Sequence, residues 1–182
     1  MSTSTWDSDW TTNYTGVGSN SLSGRLLRRY WHPVLLSSEL LPRMLREVEL
    51  LGQSLVLFRL LDGRLGVLPE HCPHRGASLK YGFIEQDGIR CAYHGWKFSC
   101  EGTNIETPFG PPHRTESTNS WSARAYECGG IIFICLAPEP AGAAPPRWDI
   151  LLTGSDEIVV QRHEESFAKQ CWDRYRHPRP YS

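Results

Sequence analysis

Two short pairs of cysteine and histidine are the residues of this 182-residue chain whose types and spacing could bind a metal. The first pair is Cys72-Pro-His74, and the second is Cys91-Ala-Tyr-His94. Each pair lies beside a residue that favours a tight turn, Gly76 after the first and Gly95 after the second. Two turns could therefore present thiolate and imidazole ligands to one metal centre from opposite sides.

The mixed composition of each pair distinguishes between metals. Together the pairs supply two thiolates and two imidazoles, the ligand set of a Rieske [2Fe-2S] cluster, whose potential is about −150 to +300 mV against about −400 mV for plant-type ferredoxins. Zinc binds the same ligand types, but its familiar spacings pair Cys with Cys and His with His. We therefore predict Cys72, His74, Cys91 and His94 as metal ligands of a [2Fe-2S] cluster. A zinc-stabilised binding module is the alternative.

Composition and charge exclude several other classes of protein. Lys and Arg number 19 against 20 Asp and Glu, so no basic surface for nucleic acid is indicated. No apolar run approaches the roughly 18 residues of a membrane span, and we find no signal-peptide core, so we expect a cytoplasmic protein without a membrane partner. In that compartment the six cysteines are expected to stay reduced rather than to form disulfides.

Short apolar or alternating runs, separated by Gly and Pro turns and with hardly any helical period, predict an all-β fold, an antiparallel sandwich or barrel. The strongest hairpin signal is Asp62-Gly63 between two apolar runs. A short basic helical turn is expected over 25–29. The predicted strands are 34–36, 48–51, 53–61, 64–68, 89–90, 121–126 and 131–136.

Composition divides the chain into four parts. Residues 1–23 are rich in Ser, Thr, Asn and Asp and are expected to form a mobile leader. The predicted metal-binding domain covers 24–137. A Pro- and Ala-rich linker follows at 138–147, and 148–182 is expected to be a truncated or non-homologous tail.

The segments RRYWHPVLL, CPHRGASLKYG and GIRCAYHGWKF resemble the Rieske domain of ring-hydroxylating oxygenases, especially the phthalate dioxygenase-like oxygenase components. The resemblance covers residues 24–148. It implies an antiparallel Rieske-type β-sandwich with a small cluster-binding subdomain. It also implies that Cys72 and Cys91 hold one iron, while His74 and His94 hold the other, which faces the surface.

Two positions separate the subclasses of this family. Cytochrome bc-type Rieske proteins have a disulfide across the cluster, and its two cysteines would stand at Ala77 and Tyr93 of this chain. The missing disulfide resembles the lower-potential branch of oxygenases and ferredoxins.

Three further residues are expected to contact the cluster or its ligands. Arg75 is expected to pair with a carboxylate and hold its loop, with a solvated arginine as the alternative. Tyr93 could donate its hydroxyl to a sulfur and raise the potential, or pack as a core aromatic residue. Trp96 is expected to be a lid over the cluster rather than a redox relay.

The resemblance implies one-electron transfer by the N-terminal domain of an aromatic-ring-hydroxylating oxygenase. In that family a larger catalytic domain follows, whose mononuclear iron is held by two histidines and a carboxylate. After Cys171 the chain has His177 near Asp173 but no second histidine, so we expect the mononuclear iron site to be absent. We expect the chain alone not to be a competent dioxygenase, and a truncated reading frame is the corresponding hypothesis.

The resemblance also implies partners: a reductase or ferredoxin that donates electrons, an oxygenase catalytic domain, and a homotrimer in the full-length family. The alternative is a stand-alone Rieske ferredoxin that shuttles electrons from a flavin reductase to a separate oxygenase. The N-terminal extension and the segment GRLLRRYWHP favour the oxygenase domain, since a minimal ferredoxin would need neither.

Overall fold

A computed structural model of the chain describes residues 16–108, 118–137 and 144–145. Residues 1–15 of the expected leader, most of the expected linker and the whole tail 148–182 lie outside the described residues. What the sequence predicts for those parts, including the truncated reading frame, therefore stays a prediction.

The described residues form one short α-helix, ten β-strands and two 3₁₀ turns. The elements are α1 (Leu22–Leu27), β1 (His32–Leu36), β2 (Leu45–Leu50), β3 (Gln53–Arg59), β4 (Leu65–Pro69), β5 (Phe83–Ile84), β6 (Ile89–Arg90), β7 (Lys97–Phe98), β8 (Asn104–Glu106), β9 (Arg124–Cys128) and β10 (Ile131–Cys135), with 3₁₀ turns at Ser37–Glu39 and Leu79–Tyr81. Among the described helices, none has the length and hydrophobicity that crossing a membrane requires.

The strands form three antiparallel sheets, which confirms the predicted fold class. Their orders are β1-β10-β9, β2-β3-β4 and β5-β6-β7-β8. An isolated bridge between Val67 of β4 and Ala123 links the first two sheets. The third sheet is made of strands of only two or three residues and has the second Cys/His pair on its β6–β7 turn, so it is the small metal-binding subdomain.

β3 contributes side chains to both hydrophobic clusters. Leu55 and Leu57 belong to the cluster that includes residues of β10, whereas Val56 and Phe58 belong to the cluster that includes residues of the third sheet. All four side chains are fully buried. Because successive side chains of a strand point to opposite faces, both faces of β3 are covered. Burial on both faces explains why β3 has a continuous apolar run, whereas a strand buried on one face would alternate apolar and polar residues.

The predicted Asp62-Gly63 turn joins β3 to β4. Gly63 has a φ of +90°, a conformation that costs glycine little because it lacks a Cβ. The strand register that follows places Gly66 opposite Phe58. A Cβ on Gly66 would lie 2.2 Å from the ring of Phe58, so this glycine makes room for the largest side chain of β3.

Several elements differ from the sequence prediction; β1 and β2, for example, begin two and three residues earlier than predicted. α1 begins at Leu22, capped by Ser21, whose hydroxyl accepts the Gly24 N–H over 3.0 Å, so it starts within the expected leader. β9 begins three residues later than predicted, because residue 123 makes only the isolated bridge to β4. β5, β7 and β8 were not predicted, since two or three residues are too few to show a period.

Candidate metal centre

The first ligand loop, defined as residues 72–77, follows the end of β4. The N–H of Cys72 donates to the Ala77 carbonyl over 2.9 Å, and the N–H of Gly76 donates to the Cys72 carbonyl over 2.9 Å. Gly76 has a φ of +70°, which lets the chain turn back without a steric penalty. These bonds close a tight turn with His74 near its centre.

The second ligand loop, residues 91–96, repeats this pattern between β6 and β7. The N–H of Cys91 donates to the Trp96 carbonyl over 2.8 Å, and the N–H of Gly95 donates to the Cys91 carbonyl over 3.1 Å. Gly95 has a φ of +73°. The two loops therefore share one conformation, although His94 lies one position further from its cysteine than the histidine of the first loop does.

The two loops bring the predicted ligands together. The ring centroids of His74 and His94 are 4.7 Å apart, with 64° between the ring planes. Cys72 and Cys91 are each 3% exposed and belong to the same hydrophobic cluster, while both histidines are half-buried. The thiols thus face the core, and the imidazoles lie nearer the surface.

The surroundings of Cys72 and His74 shift their ionisation. Burial raises the pKa of the Cys72 thiol to about 11, and the neighbouring Cys91 adds to this increase. Hydrogen bonds from the backbone N–H groups of His74 and Arg75 to the Cys72 sulfur oppose it. Partial burial, with the nearby charges of His94 and Arg75, lowers the pKa of His74. A low pKa favours the neutral imidazole that binds metals, whereas the Cys72 thiol needs a cation nearby to ionise.

Aromatic rings cover both histidines. The indole of Trp96 lies parallel to the imidazole of His74, with ring centroids 4.4 Å apart and 2° between the planes. The Tyr93 ring packs against His94 at 3.8 Å and 35°. Tyr93 is 63% exposed, so it does not pack as a core residue. Trp96 therefore lies over the histidine of the opposite loop, and its role as a lid over the cluster stays a prediction.

The arginine that holds a ligand loop is Arg90 rather than Arg75. Arg75 is exposed, and none of the ion pairs found within the described residues involves it. Arg90 stands directly before Cys91 and donates from Nη1 to the carbonyl of Gly95 over 2.8 Å. Sequence reasoning missed this residue, although its position next to a ligand cysteine was the available signal.

Arg90 belongs to a charged network beneath the second loop. Lys97, whose side chain is only 7% exposed, lies 2.6 Å from Asp87, 3.0 Å from Glu85 and 3.1 Å from Glu106. Burial alone would lower the pKa of Lys97, but hydrogen bonds to the three carboxylates raise it above its ordinary value. The same network contains the ion pairs of Arg90 with Glu85 and Glu106. Two cations and three carboxylates therefore fix one another at the edge of the subdomain.

The donor set fits a [2Fe-2S] cluster better than a single zinc ion. A zinc site needs all its ligands around one ion. Within the described ranges, no group of three or more His, Cys, Asp or Glu side chains is placed to hold one metal ion. A cluster needs only two ligands per iron, which agrees with an inner thiol pair and an outer imidazole pair.

No disulfide forms among the described cysteines. Cys72, Cys91, Cys100, Cys128 and Cys135 are all buried free thiols. Ala77 and Tyr93 occupy the positions where the disulfide-bearing subclass would have its cysteines. The two ligand loops are therefore held together by packing and by the Trp96–His74 stack.

An all-β domain with two cysteines and two histidines converging on paired turns defines an iron–sulfur class of protein. The chain belongs to the family of the Rieske [2Fe-2S] domain, whose profile matches residues 30–121. The family's cofactor is the cluster that the two mixed pairs predict.

Two curated relatives of the chain are oxygenase subunits. The chain is 40% identical over 136 residues to the 5,5'-dehydrodivanillate O-demethylase oxygenase subunit of Sphingobium sp. (strain NBRC 103272 / SYK-6), covering 71% of this chain and 32% of that protein. It is 41% identical over 140 residues to the phenoxybenzoate dioxygenase subunit alpha of Ectopseudomonas oleovorans, covering 75% of this chain and 34% of that protein. The chain thus spans about a third of the length of the curated relatives it matches.

A solved structure gives the same result for the fold. The crystal structure of dicamba monooxygenase superposes with a TM-score of 0.64 at 28% sequence identity. The match covers 70% of this chain and 41% of that one. The predicted Rieske-type β-sandwich is therefore confirmed.

Proposed function

We propose that the chain binds a Rieske [2Fe-2S] cluster and transfers single electrons as the Rieske domain of an oxygenase. In this proposal Cys72 and Cys91 hold one iron, and His74 and His94 hold the other. The observation that carries it is the convergence of the two loops, with the imidazole centroids 4.7 Å apart above two buried thiols. When bound, the cluster supplies reversible one-electron chemistry.

The residues around the pairs suit this role. The backbone N–H groups of His74 and Arg75 that donate to the Cys72 sulfur stabilise a thiolate, and donors to cluster sulfurs raise the potential. The core around Cys72 and Cys91 excludes water from the thiol side. The half-buried histidines leave the other side as the edge through which electrons enter and leave.

The differing activities of the relatives support electron transfer rather than substrate binding. Their names give O-demethylation in one case and dioxygenation in another, yet each matches this chain over about a third of its own length. A stretch shared by proteins that act on different substrates is best suited to the step that they share. We therefore propose a reductase or ferredoxin as electron donor and an oxygenase catalytic domain as acceptor, with a homotrimer as the assembly of the full-length family.

A reducing compartment agrees with the state of the thiols. The five described cysteines are free, and cytosolic thiols stay reduced. We therefore propose the cytoplasm as the location.

Metal analysis of the purified chain tests the cofactor. We expect about two iron and two acid-labile sulfide per chain, and a rhombic EPR signal of low average g after reduction. Cys72→Ser should abolish both, whereas Cys100→Ser should retain them, because Cys100 is a buried thiol of the same hydrophobic cluster outside the ligand loops. Zinc in place of iron in the native protein would refute the proposal.

A reductive titration tests the function itself. The visible absorbance of the oxidised chain should bleach with about one electron per chain and recover on reoxidation by a one-electron acceptor. An uptake of two electrons per chain, or none, would contradict a one-electron carrier.

A further inference from the structure

Arg90 connects the charged network to the second ligand loop. It is the last residue of β6, and its Nη1 donates to the carbonyl of Gly95 over 2.8 Å. The loop therefore has a side-chain clamp across its base in addition to the two backbone bonds of Cys91. Gly95 lies between His94 and Trp96 in the sequence, so the clamp holds the loop next to both of these side chains.

The guanidinium of Arg90 is itself fixed. Its Nε and Nη2 donate to the two carboxylate oxygens of Glu85 over 2.5 Å and 3.0 Å, and Nη2 also donates to Glu106 over 2.6 Å. A two-pronged bond of this kind holds the planar fork in one orientation. The side chain is 23% exposed, so solvent competes little for these donors. The position of the Gly95 carbonyl is thus set by the subdomain sheet.

The first ligand loop has no comparable clamp among the described residues. The space next to Gly76 is open, with no atom within 4 Å of where a Cβ would lie, and Arg75 is exposed. The contact that steadies its histidine comes from the other loop, through the stacking of Trp96 on His74. Anything that moves Gly95 therefore moves Trp96 and, with it, the imidazole of the first loop.

We propose that Arg90 is a positioning residue for both histidines of the metal centre. It fixes the second loop directly, and it orients His74 through Gly95 and Trp96. This inference rests on the proposed function, because the position of the histidines matters to the protein only if they bind the cluster.

The test uses Arg90→Gln and Arg90→Lys in the whole chain, with Arg64→Gln as the matched control. Arg64 also has a 2.8 Å ion pair, and its partner Asp62 lies in the β3–β4 turn rather than in a ligand loop. We expect cluster loss to a chelator to be about tenfold to a hundredfold faster in Arg90→Gln than in the wild type, as for other groups that orient metal ligands. Arg90→Lys should lose the cluster at a rate between those of the wild type and Arg90→Gln, because an ammonium group cannot replace the two-pronged bond of the guanidinium. Arg64→Gln should match the wild type.

Pulsed EPR of the reduced cluster separates positioning from general stability. The hyperfine couplings of the ligating nitrogens report imidazole orientation, and we expect both to change in Arg90→Lys while its urea unfolding midpoint stays near that of Arg64→Gln. Unchanged couplings, or cluster loss no faster than in the control, would overturn the inference. If Arg90→Gln fails to fold, Arg90→Lys and Glu85→Gln decide by the same two measurements. A native chain that binds no cluster would refute the proposed function instead.

Discussion

The imidazole of His74 and the indole of Trp96 lie face to face, 4.4 Å apart and 2° from parallel, although they belong to different ligand loops. Parallel rings at this distance exclude water from one face of the imidazole and restrict its rotation. The stack also joins the two loops, which have no disulfide between them. A histidine of the first loop is therefore oriented by a residue of the second.

Removing the indole should loosen the metal centre without unfolding the domain. Trp96→Ala should lose its cluster about tenfold faster than the wild type, because the orienting contact on His74 disappears. Trp96→Phe should lose it at an intermediate rate, since a phenyl ring can still stack. The decay of visible absorbance after addition of a chelator measures this.

Trp121→Ala is the control for the loss of a tryptophan. Trp121 is 41% exposed and lies outside both ligand loops. It should release its cluster at the wild-type rate. Equal rates for the Trp96 and Trp121 variants would show that the stack has no orienting role.

Removing the buried cation should destabilise the subdomain. Lys97→Met leaves Asp87, Glu85 and Glu106 close together without the ammonium that all three contact. Breaking a buried pair costs about 3–5 kcal/mol, and the lower end applies because the carboxylates are partly exposed. We expect a loss of about 3 kcal/mol in the free energy of unfolding, measured with urea and tryptophan fluorescence.

Lys80→Met is the matched control for Lys97→Met. Lys80 pairs with Glu47 over 3.3 Å and with Glu70 over 3.6 Å, but its own side chain is 31% exposed. Surface pairs contribute about 0–1 kcal/mol, so the variant should stay within 1 kcal/mol of the wild type. A similar loss in both variants would mean that burial of Lys97 is not what makes it important.

Acid should weaken the same network. Hydrogen bonds from Arg90 and then Lys97 lower the pKa of Glu85 to about 2 from its ordinary 4.5, against the opposing effect of burial. A carboxyl whose pKa is lower in the folded chain than in the unfolded chain stabilises the fold at any pH above its unfolded-state pKa. It loses that contribution as the pH falls through its folded-state pKa. The contribution of Glu85 should therefore vanish between pH 4.5 and 2.

A pH series of urea unfolding checks this sign. The wild type should lose about 1 kcal/mol more than Glu85→Gln over that window, after allowing for the screening of a side chain that is 34% exposed. Glu101→Gln removes an exposed carboxyl at a turn and should follow the wild type. A Glu85→Gln variant as acid-sensitive as the wild type would contradict the role of the ion pair.

The close approach of Gly66 and Phe58 gives a test of the core. Gly66→Ala places a methyl group 2.2 Å from the Phe58 ring, and crowding of this kind costs about 1–3 kcal/mol. Phe58→Leu also destabilises, through lost burial. The double variant should be more stable than the sum of the two losses predicts, because leucine leaves room for the methyl group. Strict additivity in chemical denaturation would contradict the clash.

Much of the fold was predictable because it depends on neighbouring residues. Asp62-Gly63 between two apolar runs indicated the central hairpin, and β3–β4 is found there. The extent of α1 and the presence of β8 were not predictable in the same way. α1 depends on a serine cap, and β8 on pairing with β7.

The sequence by itself determined the candidate ligands and the kind of centre. Cysteine and histidine types, their mixed pairing and the following glycines are local properties, and they already distinguished a Rieske cluster from the familiar zinc spacings. The family resemblance, rather than this local evidence, implied that Ala77 and Tyr93 stand where the disulfide-bearing subclass has its cysteines.

Only the tertiary structure decided which neighbours support the ligands. The sequence pointed to Arg75, next to a histidine, whereas the fold assigns the clamp to Arg90 and the stacking contact on His74 to Trp96. The reason is physical: turn formation depends on residues adjacent in the chain, but stacking and ion pairing depend on how separate loops and strands meet in space. Lys97 is buried among three carboxylates for the same reason, since its partners come from a preceding turn and a neighbouring strand.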